Sequence, residues 1–437
     1  MRDYLLALLI LIPAVWALRA PWIGVLAWTV ISIMNPHTYS WVLRSMPVAA
    51  LVACTTLIGV LANRQARQFP LTGETVVLML LMLWFCVTLP FSFNVDGSYF
   101  QWTKVMKIDF MILIAAMIIH SKKQIIALIW ALVVSLGFYG VKGGLFTLAT
   151  GGAHRVWGPE GSYIEGNNEV ALALIMCIPL FQILRAETRN VWVKRGLLAS
   201  MLLCAVAGLG SHSRGALLAL VAMALVLWWR GKNKVMSGII IVVTTFLMAG
   251  FLPDAWFDRM NTISEYKEDG SAMGRLNAWW MAFNLAKANF FGGGFDIYNL
   301  DNFSRYAPDA SDVHAAHSIY FQILGEHGFV GLALFLLLWL LAWRSAGILR
   351  KQAGKLAETR WLVTVGAMCQ VSLVAYAVGG AFLSLAYFDL PYNVVVVLVA
   401  GRQWLEKKRW LVEQDGAPVP GPAVVGVPVL PGQRFAR

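Results

Sequence analysis

The sequence predicts an all-α fold: a polytopic integral membrane protein with about 12 transmembrane helices and a helical loop on one face. Three observations predict it. Of 437 residues, 59% are hydrophobic and 13% charged, whereas a soluble domain has about 45–50% and about 25%. The apolar residues gather in runs, and about 20 such residues cross a hydrocarbon core of about 30 Å. Basic residues then collect in alternate short connections, the pattern of cytoplasmic loops.

In order, the runs are 4–18, 21–34, 47–62, 74–90, 104–119, 124–141, 168–184, 197–210, 215–229, 235–252, 318–343, 361–384 and 387–400. The first two are short and read as a shallow hairpin or a broken helix. Arg64 and Arg67, Lys122 and Lys123, Arg185 to Arg195, Arg230 to Lys234, Arg344 to Arg360 and Arg402 to Arg409 mark one side. Four units follow: an N-terminal bundle 1–252, a large outer loop 253–317, C-terminal helices 318–410, and a tail 411–437. The tail is rich in Pro, Gly and Val and reads as a disordered cytoplasmic end. Met1-Arg2-Asp3 before an apolar run without a small-residue cleavage site reads as a retained anchor.

Composition excludes other classes. The net charge of +12 reflects loop sidedness rather than a nucleic-acid partner. Cys54, Cys86, Cys177, Cys204 and Cys369 lie in apolar runs with no metal-like or disulfide-like spacing. No phosphate-binding loop or dinucleotide fingerprint is present.

The loop 253–317 carries nine acidic and five basic residues and is too long for a mere connector. Within it, 271–291 reads as a helix. Ser271 is its expected N-cap, Met273, Leu276, Trp280 and Phe283 its apolar stripe, and Gly292-Gly293-Gly294 its stop. Such a helix suits the membrane surface or the roof of a cavity.

Four polar groups on this outer side are candidates for chemistry. Ser211-His212-Ser213-Arg214-Gly215 forms a tight corner between two apolar runs. An arginine there faces a cavity or a partner, or snorkels to the interface. Gly274-Arg275 stands at the start of the loop helix, where a guanidinium beside free N–H groups makes an oxyanion clamp. Arg155, in 152–159, adds a third cation. His314 and His317 share a helix face if the next helix begins that early. They lack the intervening glutamate and third ligand of a zinc site. An imidazole at that place suits general-base work instead. Trp157, Tyr163 and Trp279 are weaker candidates for sugar or lipid contacts. Lys104, Lys107 and Asp109 read as a local structural pairing rather than a proton relay.

These elements in this order resemble the O-antigen ligase family of membrane glycosyltransferases. The resemblance rests on Ser-Arg-Gly at 213–215, Gly-Arg-x-x-x-Trp at 274–279, Gly-Gly-Gly-Phe at 292–295, His-x-x-His-Ser at 314–318 with Tyr320, and Gly-Glu-x-Gly at 325–328. It covers about 150–343. Asn35-Pro36-His37 after two short runs also resembles the exosortase-associated O-glycosylation ligase branch. The chain departs from the family at Gly158-Pro159-Glu160, where Gly-Pro-Phe is common.

The resemblance implies an inner-membrane enzyme whose site faces the periplasm. Its donor is a glycan on undecaprenyl diphosphate, its acceptor lipid A–core, and the anomeric centre inverts. His317 is then the general base. Arg214, Arg275 and Arg155 bind the diphosphate, and His314 is the second choice or an acceptor contact. No metal and no cofactor is expected. A polymerase or a protein O-oligosaccharyltransferase of the same plan stays open as an alternative. A secondary transporter fits less well, because the polar groups cluster at one surface rather than at the midplane of repeats.

Overall fold

The computed structural model describes residues 2–63, 69–231, 233–236, 238–239 and 270–414. Among them every regular element is helical. The α-helices are α1 Arg2–Ala17, α2 Pro21–Met34, α3 Val48–Ala62, α4 Gly73–Thr88, α5 Val95–Ile118, α6 Lys122–Ala149, α7 Asn167–Glu187 and α8 Val191–Gly210. They continue with α9 Arg214–Arg230, α10 Gly270–Ala288, α11 Leu300–Tyr306, α12 Ile319–Gln352, α13 Trp361–Gly380, α14 Asp389–Glu406 and α15 Arg409–Gln414. The loop at Arg64 and Arg67, Lys232, the run 235–252 beyond Ile239, the loop segment 253–269 and the tail from Asp415 lie outside the described residues.

Six stretches among the described residues are long and apolar enough to cross a membrane: Gly73–Phe91, Lys122–Ala149, Asn167–Glu187, Val191–Gly210, Ile319–Lys355 and Trp361–Gly380. α1, α2 and α3 are apolar but shorter. They pack closely, since a Cβ on Gly59 would strike the Ala17 backbone and one on Gly24 would strike Thr56.

Local chemistry sets several boundaries. Asn94 accepts from Gly97 N at 3.2 Å, so α5 starts well before its apolar run. Asn190 accepts from Trp192 N at 2.9 Å and starts α8 at Val191. Ser121 and Gln124 form a capping box on α6. That helix then runs past its expected end at 141. Gly140 lies under Cys204, and Gly144 lies against the Leu203 backbone. These glycines admit a close helix neighbour instead of breaking the helix.

Two helices form the axis of the bundle. α7 is buried from Val170 to Leu184 except at Gln182, and α14 is buried from Asp389 to Gly401. Helices apolar on all sides belong in the interior. The bundle has two chemically distinct ends. At one, Lys122 pairs with Glu187 at 2.7 Å, while Arg230 and Arg350 both donate to Gln370 Oε1, at 2.9 and 2.8 Å. At the other, α7, α9, α12 and α14 begin, α6, α8 and α13 end, and α10 and α11 close over them.

α12 is kinked at Gly328, whose φ is +67°. The glycine triplet 292–294 docks against this kink. Gly293 N donates to Gly325 O and Gly294 N to Glu326 O, both at 2.9 Å. The triplet is therefore a backbone seam between the α10 connection and α12, beyond the helix stop expected of it.

Candidate active site

The element 274–279 on α10 is built as a clamp for the segment 307–318. A Cβ on Gly274 would lie 2.5 Å from His314 Nδ1, so the missing side chain seats that imidazole. Asn277 Nδ2 donates to Asp309 O at 2.7 Å and to Asp312 O at 2.9 Å. Its Oδ1 accepts from Asp309 N at 2.9 Å. Trp279 Nε1 donates to Ala316 O at 2.7 Å, and its ring stacks on Phe321 with centroids 4.9 Å apart. Trp279 thus fixes the peptide just before His317.

Two local expectations are corrected. α10 already includes Gly270, so Ser271 lies inside the helix and Arg275 beyond its first described turn. The helix of His317 starts only at Ile319, capped at Ser318. His314 and His317 therefore sit in a non-helical approach. His317 has φ +42°, a left-handed backbone that a non-glycine residue adopts only when its surroundings enforce it.

His317 faces charge from several elements. Its Nδ1 lies 4.0 Å from Glu169 Oε1 on α7. Arg275 acts electrostatically on both His317 and Glu169. His314, which adjoins Asp312 at 2.9 Å, adds to the field. Burial first, then the Arg275 and His314 charges, push the His317 imidazole down to about 4. It is neutral at pH 7 and free to accept a proton.

The 211–215 corner joins the same place through α7 and Phe382. Asn167 Nδ2, two residues before Glu169, donates to Ser211 O at 2.7 Å. His212 donates from Nε2 to Gly152 O at 2.8 Å, with its own φ at +58°. Ser213 caps α9, whose first residue is the half-buried Arg214. A Cβ on Gly215 would lie 3.1 Å from Phe382 Cβ, and Trp279 flanks the same Phe382 at 6.4 Å. Arg214, Arg275, His314 and His317 are thus gathered at one end of the bundle. Arg155 is exposed on the 150–166 loop. Trp157 beside it is exposed as well.

Sequence reasoning missed Glu169. It reads as an ordinary first-turn acid at a helix N-terminus. It also missed a buried polar chain at the α12 kink. Thr88 Oγ1 and His327 Nδ1 are 2.9 Å apart, His327 Nε2 and Tyr387 Oη are 3.0 Å apart, and Tyr387 donates to Glu326. Lys104 does not pair locally: its Nζ sits 4.0 Å from the Tyr163 ring centroid and faces Asp389.

Residues 199–336 match the family model described as O-Antigen ligase, a segment holding Arg214, Arg275, His314 and His317. Residues 1–189 match a family of unknown function (DUF5935), a segment holding Arg155 and Glu169. No characterised protein gives a significant match. That family is of the membrane glycosyltransferase type, in keeping with the six helices among the described residues that are long and apolar enough to cross a membrane. Over residues 199–336 the chain is similar to the O-antigen ligase family.

Proposed function

We propose that the chain is an O-antigen ligase: an inverting, metal-independent glycosyltransferase of the bacterial inner membrane, with its site facing the periplasm. It moves a glycan from undecaprenyl diphosphate to lipid A–core in lipopolysaccharide biosynthesis. The observation that carries this reading is Glu169 4.0 Å from His317, with the charge of Arg275 acting on both and the Arg214 corner tied to the same helix, α7.

The chemistry has three tasks. The acceptor hydroxyl loses its proton to His317 as its oxygen bonds the anomeric carbon from the face opposite the leaving group. The bond from that carbon to the diphosphate oxygen breaks, and its electron pair leaves with the diphosphate. Arg214 and Arg275 take up the charge that builds there. Guanidinium forks match phosphate oxygens and stay charged, so they supply the counter-charge a divalent ion gives elsewhere. Arg155, on the exposed loop, meets the donor at the rim, and His314 stands on the acceptor side. Membrane lipids hold both substrates at the surface.

The test is a gel of lipopolysaccharide from a ligase-null strain carrying His317→Ala. The expected result is wild-type protein level with no glycan ladder. A full ladder would remove His317 from the mechanism. Transfer in vitro to a peptide, with none to lipid A–core offered beside it, would reassign the chain to protein glycosylation.

A further inference from the structure

A general base of this kind works best when a third group holds it. A carboxylate stands near one nitrogen of His317. Glu169 Oε1 stands 4.0 Å from Nδ1, and the glutamate side chain is only 16% exposed. Its position is enforced: the carboxylate folds back over Gly166, the N-cap of α7, where any Cβ would collide with Oε2. The imidazole is held from the other direction by the left-handed backbone at 317 and by Trp279 on the preceding carbonyl.

From this geometry we infer that Glu169 is the positioning residue of His317, orienting Nε2 toward the acceptor hydroxyl and stabilising the imidazolium once the proton has moved. The inference rests on the proposed ligase reaction. In transfer, the acceptor proton goes to Nε2, the Nδ1–H closes onto Glu169, and the diphosphate departs with the bonding electrons. An unliganded site often holds such contacts about an ångström too long, and substrate tightens them.

The charges facing His317 are Glu169 from α7, Arg275 from α10, and His314, itself beside Asp312, from its own segment. In the free protein Arg275 and His314 oppose protonation. A diphosphate seated on Arg275 neutralises that opposition and leaves the Glu169 carboxylate facing the ring. The base is thereby strengthened only when the donor is present, which protects the carrier from idle chemistry.

The experiment follows the carbethoxylation rate of His317 by mass spectrometry between about pH 4 and pH 8, since only the neutral imidazole reacts. The full-length protein in nanodiscs is compared with and without undecaprenyl diphosphate. In wild type the probe should raise the titration midpoint by about one unit, a tenfold change in proton affinity. Glu169→Gln should lose most of that rise, and Glu169→Asp should keep part of it. Gly166→Ala, which displaces the carboxylate without altering it, should fall between. An equal rise in wild type and Glu169→Gln would overturn the inference and leave the ligase reading standing. No rise in wild type would count against the diphosphate clamp itself, and the inference would fall with it.

Discussion

At the scale of single residues, the site depends on charge held in a partly dry place. His317 titrates at about 4 in the free protein, depressed by burial, Arg275 and His314. In the proposed transfer the neutral form is the working one. The kcat/KM for donor should therefore be level through neutral pH and fall only as pH drops through about 4. An acid limb centred near the ordinary histidine value of about 6.5 would show that this environment is wrong. Arg214→Lys and Arg275→Lys keep the charge but lose the fork. Each should lower transfer by roughly 10- to 100-fold, the worth of one charged hydrogen bond, measured as the initial rate with lipid-linked donor. Wild-type rates in both would make them simple interface arginines. These residues were legible because arginine and histidine stand out in an apolar chain, where burial is costly without a use. Glu169 was not, since an acid in the first turn of a helix already has a structural reason to be there. Only the fold, by bringing 317 back to 169, gives it a second one.

At the scale of elements, the determinant is how α10 governs the segment before α12. The three Asn277 hydrogen bonds order the backbone at 309–312. Asn277→Ala should cost about 1 kcal/mol per lost bond. It should lower transfer more than it lowers the melting temperature, because the loosened segment carries His314 and His317. Equal losses in both would make the clamp merely structural. At the kink, Gly328 has φ +67° and a Cβ there would strike Phe290 O. Gly328→Ala should destabilise the protein by at least about 1–2 kcal/mol, read as a lower thermal midpoint in detergent.

The helix spanning 270–288 was legible from its periodicity, but its buried face was not. Ala278, Met281, Ala282 and Leu285 are fully buried, while Met273 and Trp280, expected in the apolar stripe, are exposed. Sequence pattern weights large apolar residues. Close packing on α12 instead selects small ones: a Cβ on Gly325 would press within 3.0 Å of Ala282 Cβ.

At the scale of the whole molecule, composition pointed to a bilayer, where a chain satisfies its backbone only within helices or a closed barrel, and the length of the apolar runs selected helices. Run lengths misplaced several ends. α5, α6 and α8 extend beyond their apolar cores under the control of caps and glycine seams. The gathering of the site is a long-range property that no local pattern encodes. It needs α7, the 211–215 corner, α10 and the approach to α12 to end together.

Sidedness is testable at this scale. With the native cysteines replaced, His154→Cys at the site end should react with a membrane-impermeant maleimide in cells with a permeabilised outer membrane. Lys355→Cys at the basic end should react only after the inner membrane is opened. The reverse pattern would put the site in the cytoplasm, where lipid A–core ligation does not fit.

The most direct measurement is the stoichiometry of transfer by the purified protein, given an undecaprenyl-diphosphate-linked glycan and lipid A–core. One undecaprenyl diphosphate should be released for each glycan transferred, and both products should vanish together in Arg275→Ala and His317→Ala. Glycan transfer that continues undiminished in both variants, or carrier released without transfer in the wild type, would contradict a diphosphate clamp joined to an imidazole base.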